Sequence, residues 1–68
     1  MARHQDPQPD TVLFEFVYQG AFVRVSAIDP QTNTEVRMVG DPNLSRESLK
    51  AAALRKLIWV MRRDGKLR

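Results

Sequence analysis

Cysteine is absent from this chain, glycine occurs three times and histidine once. No apolar run approaches the roughly 18 residues that a membrane span requires. The first absence removes disulfide frameworks, thiolate metal sites and cysteine nucleophiles together. It suits a reducing compartment, so the cytoplasm is the expected location. Three scattered glycines cannot build a phosphate-cradling loop. The lone histidine, His4, has no second imidazole beside it, so neither a metal site nor a histidine base is expected. Ser26 and Ser45 lack a neighbouring base, and Asp29, Glu35 and Asp41 stand in or beside turns, where carboxylates usually cap and solvate. These gaps argue against an enzyme, and no cofactor is expected.

What is present fits one small domain. A chain of 68 residues buries only about 60% of the surface its unfolded form exposes, so oligomerisation would help it. The N-terminal "MARHQDPQPD" is nearly devoid of apolar residues, offers no core for a signal peptide, and reads as a loose tail over residues 1–10. The domain itself is expected over 11–64, with a short basic tail, residues 65–68, after it.

Within the domain, "TVLFEFVYQ" is too short for a helix and rich in β-branched and aromatic residues, which predicts a strand. Val12, Phe14, Phe16 and Tyr18 fall on one face of it. Gly20 marks a tight hairpin into a second strand, "AFVRVSAID". Pro30 and Asn33 shape a second hairpin loop, and "TEVRMV" follows as a third strand that Gly40-Asp41-Pro42 should end. Ser45 is placed to cap a helix, with Glu47 in its first turn and Leu44 and Leu49 at the positions of a hydrophobic staple. The helix then runs free of glycine and proline to Asp64, and Gly65 stops it. The expected architecture is α+β: a three-stranded antiparallel meander with one long C-terminal helix on a face, in the order β-β-β-α.

Charge is distributed unevenly along this scaffold. Residues 1–43 carry three arginines against six carboxylates, a net of −3, whereas residues 44–68 carry eight cations against two carboxylates, a net of +6. Positive charge therefore gathers on the helix and the tail after it, where it can attract an anionic partner. At 100° per residue, Leu49, Ala53, Leu57 and Val60 share the arc that should meet the sheet. Leu54, Ile58 and Met61 extend the apolar surface to about 180°, wider than a surface helix needs. A strand edge, the N-terminal tail or a second copy would have to cover that extension, so these three residues form a candidate protein interface.

The remaining arc holds Arg55, Lys56, Trp59, Arg62 and Arg63, with the indole in the middle of four cations three or four residues away. Such a face can neutralise phosphates while the ring stacks on a base. An ordinary solvated helix end, with the ring lying under cationic stems, has the same pattern. Arg46 and Lys50 offer a second basic patch at the other end of the helix. RNA or another nucleic acid leads as the expected partner, with a homodimer or adaptor domain as the alternative. Attachment to an anionic membrane surface ranks third, because the sheet needs the apolar face.

Two resemblances bear on this. The segments "VLFEF", "VRVSAIDPQTNTEV" with its following "VG", and "LKAAALRKLIWVM", within residues 12–61, resemble a family of short bacterial proteins, mostly alphaproteobacterial, with no established activity. The strand order followed by a helix with basic residues at its start is similar to the C-terminal part of double-stranded-RNA-binding domains. That similarity implies phosphate contacts from the start of the last helix, where Arg46 and Lys50 match the family's pattern. Glu47 fills the neighbouring basic position, and the family's first helix has no counterpart in residues 1–10.

Overall fold

The computed structural model describes residues 6–66. It contains strands β1 (Leu13–Gln19), β2 (Phe22–Asp29) and β3 (Thr34–Gly40), then helix α1 (Arg46–Arg63). The strands form one antiparallel sheet in the order β1-β2-β3, the β-β-β-α architecture the sequence predicts. No helix among the described residues is long and apolar enough to cross a membrane.

Turn chemistry sets the register. Gly20 takes φ 60°, and with Ala21 forms a two-residue loop, so Gln19 pairs with Phe22 and the ladder runs unbroken to Leu13 opposite Ile28. Ala21 thus belongs to the turn and not to the second strand. The next hairpin is organised by Asp29, only 4% exposed, whose Oδ2 accepts hydrogen bonds from Thr32 N (3.2 Å) and Thr32 Oγ1 (2.7 Å). Asn33 supplies the left-handed residue at φ 58° that closes the loop.

Alternation along the strands gives the sheet an inner face with Phe14, Phe16 and Tyr18 on β1, Val23, Val25 and Ala27 on β2, and Val36, Met38 and Gly40 on β3. Helix residues Leu49, Ala53, Leu57 and Met61 are all buried against it at a spacing of four. The core they complete with Val12, Val23, Val25, Ala27 and Val36 centres on β2 and β3, the two strands the helix packs on. The third strand ends at Gly40, as expected, in a last pair with Val23. A Cβ there would come within 2.7 Å of Leu49 Cδ2, so the missing side chain is the space into which the first turn of the helix fits.

Both helix ends are finished locally. Ser45 Oγ accepts from Ser48 N at 3.1 Å. At the other end, Gly65 at φ 75° donates to Arg62 O (3.1 Å) and Lys66 N to Met61 O (2.8 Å), the two bonds of a Schellman motif. Of residues 6–10, grouped with a loose tail by composition, Gln8, Pro9 and Asp10 are exposed, while Asp6 and Pro7 are held against the domain. Pro7 is buried, Asp6 pairs with Arg62, and Gln8 O accepts from Thr11 N and Val12 N in a turn that leads into β1. Composition undervalues this segment because burial of one proline ring and one ion pair leaves no periodic trace.

The seating of the helix predicts two stability losses. Gly40→Ala should cost about 1–3 kcal/mol through overpacking against the buried Leu49, whose terminal methyl must shift. Leu57→Ala should cost about 2–5 kcal/mol through the cavity it leaves. Urea midpoints followed by circular dichroism measure both, and a Gly40→Ala protein as stable as the parent would mean that the helix can slide on the sheet.

Candidate nucleic-acid interface

Trp59 is 61% exposed, which answers what the sequence leaves open: the ring stands outside the core. It sits on the solvent side of α1 because the buried residues recur every four positions from Leu49 to Met61, placing Trp59 about 160° from Met61 around the axis. The Arg63 guanidinium lies 5.1 Å from its ring centroid. On its other side, a shallow groove is lined by Arg55, Ile58, Trp59, Arg62 and Asp6.

The basic residues predicted to act together divide into three groups. Arg55, Arg62 and Arg63 surround the indole. Of these, Arg62 is paired with Asp6 at 2.8 Å and Arg63 with the adjacent Asp64 at 3.2 Å, both on exposed side chains where such pairs are weak. Arg55 makes no ion pair or hydrogen bond among the described residues. Lys56 turns the other way, and its Nζ donates to the main-chain carbonyl of Arg37 on β3.

Arg46 and Lys50 form the third group, about 20 Å from Trp59 along the helix in the case of Arg46. The Arg46 guanidinium lies over the rings of Phe16 (4.7 Å) and Tyr18 (5.5 Å), and Lys50 Nζ over Phe14 (5.7 Å). Because the helix packs on β2 and β3, the aromatic row of β1 is only partly covered, and these cations roof it. They are thus engaged with the sheet and are separate from the Trp59 face.

The candidate protein interface of Leu54, Ile58 and Met61 does not hold as a unit. Met61 is 0% exposed and belongs to the core, since it continues the four-residue spacing of Leu49, Ala53 and Leu57. Leu54 and Ile58 are half-buried, with Pro9 beside the first and Asp6 beside the second. The N-terminal segment, one of the three covers expected for the wide apolar arc, thus lies beside it.

The carboxylates have local work. Asp29 holds its hairpin loop, Glu35 pairs with Arg37 at 3.2 Å, and Asp41 Oδ1 accepts from Asn43 N at 2.9 Å. Among the described residues no group of three or more His, Asp or Glu could hold a metal ion. His4, Leu67 and Arg68 lie outside the described residues.

The fold and this face define a small α+β domain with one exposed aromatic ring among arginines on its helix. The chain belongs to a family described as a domain of unknown function (DUF6898), whose model matches residues 9–64. No curated protein and no solved structure matches it.

An exposed ring contributes little to folding, so Trp59→Ala should change stability by less than about 1 kcal/mol. The emission of the native protein should lie near that of indole in water and be fully accessible to acrylamide. A loss of several kcal/mol in the variant would show a packed ring.

Proposed function

We propose that the protein is a non-enzymatic binding module that holds single-stranded RNA, or a similar single-stranded nucleic acid, on the Trp59 face of its helix. The observation that carries this reading is the 61% exposure of the only tryptophan, with arginines on both sides of it. An indole left in water adds little to folding, and it is the shape a nucleobase stacks on. Arg55, Arg62 and Arg63 neutralise phosphates, Arg55 without giving up any existing bond, while Trp59 stacks on one base.

A single ring and a shallow groove read no sequence, so the binding is sequence-tolerant and driven by counterion release. Unpaired bases are the natural target, because a duplex hides the faces that the ring needs. The likeness to the C-terminal part of double-stranded-RNA-binding domains supports RNA as the polymer. Arg46 and Lys50, the cations that match that family, lie over the β1 rings, which favours a single strand over a duplex. The reading includes a bacterial, chiefly alphaproteobacterial, source, which rests on the resemblance alone, and a cytoplasmic setting, which is in keeping with the absence of cysteine.

Titration of Trp59 fluorescence with single-stranded RNA at low and physiological salt tests the proposal. Quenching is expected, with log K falling against log salt by about 0.7 for each phosphate neutralised. With binding followed instead by the anisotropy of end-labelled RNA, Trp59→Ala should weaken it by about 1–3 kcal/mol. Arg55→Ala should reduce the salt slope by about 0.7 and leave stability unchanged. An emission unmoved by RNA at low salt would sink the reading.

A further inference from the structure

The two edges of the sheet are treated differently. In an antiparallel ladder, alternate residues bond one neighbour, and those between them turn their N–H and C=O to the other side. The two-residue loop makes Gln19 and Phe22 a bonded pair, so β2 bonds β1 through Phe22, Arg24, Ser26 and Ile28. It must then bond β3 through Val23, Val25, Ala27 and Asp29, which leaves Glu35, Arg37 and Val39 facing outward from β3. The bond from Lys56 to the Arg37 carbonyl confirms that parity independently. Lys66 Nζ adds a second lysine to that strand through Thr34 Oγ1 at 3.0 Å. Lysines laid along an edge are a standard block to further strand pairing.

On β1 the same alternation turns the N–H and C=O of Phe14, Phe16 and Tyr18 outward. This edge has no proline, no lysine and no bulge in its seven residues, and its single charge, Glu15, points to the outer face. The helix sits over β2 and β3, and over β1 it extends the Arg46 and Lys50 side chains above the ring faces. Such an edge is a template for another strand.

We infer that two copies of the chain pair through β1, antiparallel about a two-fold axis at Phe16, to make a continuous six-stranded sheet with a helix on each half. The strand is its own complement in this register. Phe16 meets Phe16 and Phe14 meets Tyr18, each an outward-facing pair that exchanges two main-chain hydrogen bonds. The aromatic rows adjoin on the inner face as favourable cross-strand pairs. Glu15 falls opposite Val17, so no carboxylates are opposed, while the two Arg46 guanidinium groups, each over its own Phe16, come near the axis. The interface is isologous, and the lysines on β3 keep the sheet from growing further, so the assembly closes at two. This pairing uses neither Trp59 nor its arginines and stands independently of RNA binding.

Light scattering and amide hydrogen exchange on the full chain test it. A mass twice the 7.8 kDa of one chain is expected. The Phe14, Phe16 and Tyr18 amides should be protected at high concentration and lose protection on dilution, while that of Val39 stays unprotected. Tyr18→Pro removes one outward N–H and leaves the β1–β2 ladder intact, so it should halve the mass. Val39→Pro, its counterpart on the β3 edge, should leave the dimer in place. A monomer at every concentration would overturn the inference. So would a dimer whose Phe14, Phe16 and Tyr18 amides exchange as fast as that of Val39, and this readout decides the matter even if Tyr18→Pro does not fold.

Discussion

A three-stranded sheet buries its inner face here under a single helix, and that helix is seated off centre. Leu49, Ala53, Leu57 and Met61 drop onto the small inner-face residues of β2 and β3, and the absent side chain of Gly40 lets Leu49 close on the strand. Much of the architecture follows from that seat. The helix flank nearest β3 brings Lys56 to the strand's outer carbonyl. The opposite flank leaves the β1 rings to be roofed by Arg46 and Lys50 instead of by apolar side chains. Trp59, on the far side from the seat, has no core to join.

The fold was legible because each element carries a local signal of its own. β-branched and aromatic alternation marks β1 and β2, left-handed Gly20 and Asn33 mark the turns, and Ser45 and Gly65 bracket the helix. These signals act over a few residues, which is the range a sequence displays directly. The errors arise where distant segments meet. Gly40 ends its strand as read, but the sequence cannot show that Leu49 needs its space. Met61 reads as surplus because the width of the core under the helix depends on how far it sits toward β3. Pro7 and Asp6 read as tail because their partners lie far along the chain.

The candidate face was legible as composition and less so as geometry. Periodicity puts Arg55, Lys56, Trp59, Arg62 and Arg63 on one arc, but it treats every cation there as equivalent. In the fold their stems reach different neighbours: Lys56 finds a strand edge, Arg62 finds Asp6, and Arg55 makes no bond among the described residues. Long side chains are placed by what lies within their reach as much as by the angle at which they leave the helix.

The contact between Asp6 and Arg62 gives the helix face a resident counter-ion. An anion arriving at Arg62 exchanges with a carboxylate already in place, so what it gains there is a difference between two ion pairs and not the whole of one. Small monovalent anions profit little from such an exchange. The pair joins two exposed side chains, so displacing Asp6 from Arg62 costs little.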